Sequence, residues 1–224
     1  MLFDEIVLEK AVAASLTVPV KITISDQLLT LTQLTPAERI HFGELESGPR
    51  RDPWLKGRWA LKQLLRRLGE DEDTAKISFP NPRFSLTHSG NLAVAIGTPS
   101  KELLGIGVDL EVRHVSSFES ARFFLTPKEL MKLQRKEPTE LFRQLHRLWT
   151  IKEALFKSDS ENHSMSFVDY SLEDLESSQG RAFVVRDEQV MELQYVSLEL
   201  GIGFLSVAIF PRGGDRNGWK IKRE

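Results

Sequence analysis

LTPAERIHFGEL, residues 34–45, returns 91 residues later as LTPKELMKLQRK, residues 125–136. Each copy sets a Thr before a Pro and a Glu at the third helical position. That pattern predicts a helix opened by a capping box with a helix-compatible Pro. A longer amphipathic helix follows each copy, GRWALKQLLRRL at 57–68 and RLWTIKEALFKS at 147–158. Trp59 precedes Trp149 by 90 residues, and Lys62 precedes Lys152 by the same interval. Farther on, LAVAIGTP at 92–99 is echoed by LSVAIFPR at 205–212. Thr-Pro-x-Glu alone is a common helix start, but three matches in one order predict an internal duplication. The expected fold class is α+β: a pseudodimer of two similar halves, each a small, mainly antiparallel sheet packed with helices. The halves are drawn at 1–103 and 104–210, and PRGGDRNGWKIKRE, 211–224, is expected to be a flexible polar tail.

The strands read as follows. VPVKITIS, 18–25, alternates, and FSLTHSGNLAVAIG, 84–97, reads as two strands joined by a Ser-Gly-Asn turn. LLGIGVDLEV, 103–112, is an apolar run with two glycines and reads as a buried strand after the connector TPSKE, 98–102. RAFVVRD, 181–187, and QVMELQYVSLELGIGFLSVAIF, 189–210, supply further strands.

Composition narrows the function classes. With 41% hydrophobic residues, 28% charged residues and a net charge of -2, the 224 residues have a globular balance and no excess of positive charge for nucleic acid. The absence of cysteine removes thiol nucleophiles, disulfides and zinc–thiolate sites. No run is apolar for long enough to span a bilayer, and Asp4 and Glu5 stand where a signal peptide carries positive charge. The expectation is a cytoplasmic protein that engages neither membrane nor nucleic acid.

Chemistry enters at GVDLE. On a strand, Asp109 and Glu111 point to the same side. Two carboxylates on an otherwise apolar strand repel each other and lose hydration, which a hard divalent cation can offset. Water or Arg113 at the strand end would serve as well, so a third converging acid is needed, and Glu153 is the candidate. At 100° per residue, Leu141, Leu145, Leu148, Ile151 and Leu155 form one stripe, with Glu153 well off it. Glu153 and Lys157 also suit an ordinary i,i+4 surface pair. Lys152 falls on the apolar stripe, where it must snorkel or meet an anion. Between Arg50 and Arg67 there are seven Lys or Arg and a single acid, Asp52, which suits a phosphate-rich ligand as well as a solvated helix face.

These residues together resemble a known signature. GVDLE, followed about 40 residues later by WTIKEALFK, is similar to the G-[IV]-D-x-E and W-x-x-K-E-[AS]-x-x-K motifs of 4′-phosphopantetheinyl transferases. SLTHSGNLAVA resembles that family's third motif, a strand ending in Ser-His-Ser. The family has a short trimeric class and a longer, Sfp-type class built as a pseudodimer, which the duplication matches. The resemblance implies transfer of phosphopantetheine from coenzyme A to a serine of an apo acyl or peptidyl carrier protein, releasing adenosine 3′,5′-bisphosphate. It implies Mg²⁺ on Asp109, Glu111 and Glu153, with Glu153, directly or through a water, taking the serine proton. Asp109, Glu153 and Lys157 would then be the catalytic group. Lys152 and Lys157 would offset pyrophosphate charge. His88, Ser89, Arg51, Arg58 and Lys62 would bind coenzyme A, in a cleft between the halves of a monomer. Aligning Trp59 with Trp149 sets Gln63 opposite Glu153, so one half would bring the acids and the other the cations. The family's Gly-Lys-Pro has no counterpart in KISFPNPRF, residues 76–84, so the adenine contacts are not carried over. Phe118, Phe123 and Phe124 are candidates for either a carrier-facing surface or the core. Two other readings use the same residues: a magnesium-dependent phosphodiester or pyrophosphate hydrolase, and a non-catalytic protein that binds coenzyme A or a carrier.

Overall fold

The computed structural model describes residues 3–45, 48–112 and 118–212. The candidate partner Arg113 and residues 213–224 of the expected tail lie outside that range. The first half opens with α1 (Glu5–Leu16) and β1 (Lys21–Ser25), followed by the short α2 (Pro36–Glu44) and the long α3 (Arg51–Leu68). A hairpin of β2 (Phe84–Ser89) and β3 (Leu92–Gly97) completes it. The second half holds β4 (Leu103–Glu111), the short α4 (Pro127–Leu133) and the long α5 (Pro138–Ser158). It ends with β5 (Ser171–Leu172), β6 (Gln179–Arg186), β7 (Gln189–Leu200) and β8 (Gly203–Pro211).

The fold is α+β, as expected. A three-stranded antiparallel sheet, ordered β1-β3-β2, lies beside a five-stranded one ordered β4-β8-β7-β6-β5. The predicted turn is Gly90-Asn91, with Gly90 at φ +59°, a left-handed backbone that glycine adopts without strain. The expected tail begins too early, because Pro211 closes β8 and Arg212 is anchored by its backbone N–H to Glu102 O and its Nε to Leu103 O. A backbone N–H that extends the pairing of β8 with β4 holds the chain to the sheet even where the composition is polar.

Both capping boxes form with matching geometry. Thr35 Oγ1 accepts from Glu38 N at 3.2 Å, and Glu38 Oε2 accepts from Thr35 N at 2.8 Å. Thr126 and Glu129 repeat both distances. In each pair the second carboxylate oxygen has a further partner. Lys62 Nζ on α3 reaches Glu38 Oε1 at 2.9 Å, and Lys152 Nζ on α5 reaches Glu129 Oε1 at 3.1 Å. The Thr-Pro-x-Glu and Trp-x-x-Lys repeats read separately in the sequence are therefore two ends of one buried strut, present once in each half. It ties the short capped helix to the long one.

The halves share one of their apolar cores. One continuous cluster joins Leu8, Val12 and Leu16 of α1, Ile22 of β1 and Val94 and Ile96 of β3 to Ile106, Val108 and Leu110 of β4 and to Val207 and Ile209 of β8. A second lies wholly in the C-terminal half, between α5 and its sheet, and includes Leu145, Leu148, Ile151 and Leu155 of the predicted stripe. Phe124 belongs to that core and Phe118 packs on it, whereas Phe123 is 75% exposed. Among the described residues, no helix is long and apolar enough to cross a membrane.

Candidate active site

β4 lies at the edge of the five-stranded sheet, and the edge of β2 faces it. Val108 N donates to Ser85 Oγ at 3.0 Å and Val112 N to Ser89 Oγ at 3.1 Å, so side-chain hydroxyls satisfy backbone donors that no strand pairs. The other flank of the site is set by two glycines. A Cβ at Gly105 would stand 1.8 Å from Ser158 O, and one at Gly107 only 1.9 Å from Ala154 O. Strand and helix thus meet backbone to backbone, which no other residue type permits. That contact seats the last two turns of α5, with Glu153 and Lys157, beside Asp109.

The resulting constellation is compact. Lys157 Nζ lies 2.7 Å from Asp109 Oδ1 and 3.1 Å from Glu153 Oε2. Thr87 Oγ1 donates to the same Asp109 oxygen at 2.8 Å and accepts from Lys157 Nζ at 3.3 Å. Ser89 Oγ donates to Glu111 Oε1 at 2.5 Å. Asp109 is 3% exposed, and its Oδ2 is buried with no hydrogen-bond partner. Burial pushes the Asp109 carboxyl up to about 7; the Lys157 charge pulls against this and the Glu153 charge adds to it. Burial lowers the Lys157 ammonium, but Asp109 and Glu153 outweigh it and leave its pKa raised. The Lys157 side chain keeps 31% of its surface exposed, so burial counts for less there than at Asp109.

Apart from Ser89, these groups line one cavity of about 940 Å³. Asp109, Glu111, Glu153 and Lys157 share it with Arg50, Arg58 and His88, and Trp54, Phe79, Pro80, Phe156 and Phe167 form an apolar wall. A pocket of this size, with few polar groups on an apolar lining, suits a small-molecule ligand. Arg58 donates to Thr74 O at 3.3 Å and lies 5.0 Å from the Trp54 ring centroid. Burial lowers its pKa, and the Glu38 charge opposes that shift.

Four residues expected to bind the ligand are placed elsewhere. Lys152 is fully buried between Glu129 and the Tyr170 carbonyl, to which it donates at 2.6 Å, and does not line the cavity. It meets an anion, as a lysine on an apolar stripe must, but that anion is the capping glutamate. Lys62 is held in the same way by Glu38 and donates to Glu72 O. Arg51 donates to Leu45 O at 3.2 Å and stacks 4.8 Å from the Phe42 ring centroid, leaving Arg50 to face the cavity. Ser89 is buried on Glu111 and Val112 and lies off the lining. Arg58, His88, Lys157 and the three acids all lie where a common ligand could meet them. Thr87 is the residue that sequence reasoning missed; its signal was the run of hydroxyls at 85, 87 and 89 on one strand face.

Among the described residues, no group of three or more His, Asp or Glu side chains is already gathered to hold a metal ion. Lys157 stands between Asp109 and Glu153 and supplies the balancing charge. The donor set nevertheless fits a hard divalent cation. The three acids on the lining offer only carboxylate oxygens, and one buried oxygen of Asp109 has no partner.

Residues 105–208 match the family model described as the 4′-phosphopantetheinyl transferase superfamily. Over 95 residues the chain is 28% identical to a 4′-phosphopantetheinyl transferase of Bacillus subtilis. That match covers 42% of this chain and 41% of the relative's length. The segment matched by the family model contains Asp109, Glu111, Glu153 and Lys157, while Arg50, Arg58, Thr87 and His88 lie before it.

Proposed function

We propose that this chain transfers the 4′-phosphopantetheine group of coenzyme A to a serine of an apo carrier protein, with Mg²⁺ as cofactor and adenosine 3′,5′-bisphosphate as the second product. The observation that carries the reading is the convergence of Asp109 and Glu111 from a strand with Glu153 and Lys157 from a helix on one cavity whose rim bears Arg50, Arg58 and His88. The family match over the segment holding all four supports it.

Asp109, Glu111 and Glu153 would hold Mg²⁺, whose chemistry here is neutralisation of pyrophosphate charge. Lys157 supplies a fixed positive charge to the same phosphates. Arg50, Arg58 and His88 bind the remaining phosphate oxygens, and the apolar wall excludes water. The serine Oγ attacks the phosphorus bearing pantetheine. A Ser–O–P bond forms, the pyrophosphate P–O bond breaks, and its electron pair leaves with the nucleotide. Glu153 orients the hydroxyl and accepts its proton. Both halves of a single chain build the cavity, so the proposed unit is a monomeric pseudodimer.

The test is incubation with coenzyme A, Mg²⁺ and a panel of apo carriers, followed by intact mass. A carrier gaining one phosphopantetheine, only with the cation present, is the expected result. Breakdown of coenzyme A without carrier would instead establish the hydrolase. Calorimetric binding of coenzyme A with no modified carrier across the panel would leave a binding protein.

A further inference from the structure

The hydroxyls at 85, 87 and 89 occupy one face of β2, and each engages β4. Ser85 takes the Val108 backbone N–H, and Ser89 takes the Val112 N–H and donates to Glu111 Oε1. The middle one touches the charged centre. Thr87 Oγ1 accepts from Lys157 Nζ and donates its single proton to Asp109 Oδ1. An ammonium can only donate, so the direction of this relay is fixed. Lys157 also donates to Asp109 Oδ1 at 2.7 Å. Both donors therefore fall on one oxygen, and Oδ2, buried, has none. A carboxylate free to rotate would share its donors between its oxygens. This one is held with a single oxygen saturated and the other, buried, without a partner.

We propose that Thr87 is a positioning residue: with Lys157 it saturates Asp109 Oδ1, fixes the carboxylate's rotation and reserves Oδ2 for a divalent cation. The assignment rests on the proposed cation site. It differs from a phosphate-binding role, because the hydroxyl's proton is already committed to Asp109. Its position is also informative. Thr87 comes from the N-terminal half and acts on groups of the C-terminal half, so the cation site would be completed across the seam between the two sheets.

The test is titration of the full chain with Mg²⁺ by calorimetry, without carrier, for the wild type, Thr87→Val and Thr87→Ser. Valine keeps the shape and removes the hydroxyl; serine restores it. Removing a partner that orients a ligand costs about 10–100-fold in metal affinity. Thr87→Val is thus expected to weaken Mg²⁺ binding at least about tenfold, and Thr87→Ser to restore it to within about threefold. In the transfer assay the Val loss falls on kcat, with KM for coenzyme A unchanged. Should the Val variant not fold, Thr87→Ala provides the same readouts with no methyl facing the carboxylate. Wild-type Mg²⁺ affinity in the Val variant would overturn the assignment, as would a Ser variant as weak as Val, or a loss confined to KM for coenzyme A. A wild type that transfers nothing but binds Mg²⁺ with the expected dependence on the Thr87 hydroxyl would overturn the transferase reading alone. A wild type that binds no Mg²⁺ overturns the positioning role.

Discussion

Replacing Gly107 with alanine would insert a methyl 1.9 Å from the carbonyl oxygen of Ala154. Ordinary contact begins near 3.4 Å, so α5 must retreat from β4 by about 1.5 Å, one residue's rise along a helix. The obstacle is the backbone of the last turns of α5, packed on the strand, so no side chain can swing aside. Overpacking of this kind costs about 1–3 kcal/mol, which for a chain of this size lowers Tm by roughly 3–10 °C. The retreat also carries Glu153 and Lys157 away from Asp109. A misplacement of about 1 Å costs on the order of 100-fold in rate, so transfer activity should fall at least that far. Gly57→Ala is the control. Its Cβ would meet Leu86 Cδ2 at 3.0 Å, the far end of a flexible side chain, within a helix where alanine is favoured over glycine by about 1 kcal/mol. It should leave Tm and activity close to wild type. Thermal melts and initial rates for both variants decide the matter. A Gly107→Ala protein that melts with the wild type and keeps its rate would refute the claim that close helix–strand approach builds the site.

Three further outcomes follow from the same geometry. Lys152→Met leaves Glu129 buried without its cation and should cost about 3–5 kcal/mol in urea unfolding, most of it recovered by adding Glu129→Gln; a single variant as stable as wild type would return Lys152 to the list of ligand-binding cations. Arg50→Ala should raise KM for coenzyme A roughly tenfold at unchanged Tm, the loss of one charge-assisted contact. Arg51→Ala should lower Tm and leave KM alone, and the reverse pattern would restore the original assignment. Burial pushes the folded Asp109 carboxyl up to about 7, with Lys157 and Glu153 facing it, so between the ordinary carboxylate range and that value the native state holds a proton that the unfolded chain releases. In chelator, that contribution is complete below about pH 4 and lost as pH rises through 7, up to about 4 kcal/mol. Asp109→Asn should lack this slope in urea midpoints measured at pH 5 and 8; a variant with the wild-type slope would place the titration elsewhere.

What could be read from the chain was what depends on near neighbours. Thr-Pro-x-Glu announced two helix starts because a capping box closes within four residues. Ser-Gly-Asn announced the hairpin because a left-handed turn needs its glycine locally. GVDLE and WTIKE marked the acids, since strand and helix periods assign faces without knowledge of the partner. The errors came where one side chain had a choice of distant partners. Lys152 was read as needing an anion, and the one it meets is Glu129, whose carboxylate caps its helix with one oxygen and holds Lys152 from 23 residues away with the other. Arg50 and Arg51 are adjacent at the start of α3, and about 100° of helix rotation sends one to the cavity and the other to Phe42.

The sequence by itself determined the repeated motifs, the capped helices and the α+β class, and it singled out three acids that the fold places on the cavity lining. Tertiary structure alone decided which cations remain free for a ligand, because buried lysines are claimed by whichever anion packing brings within 3–4 Å. It also decided that Thr87 meets Asp109 across the seam between the sheets, a contact that no local periodicity encodes.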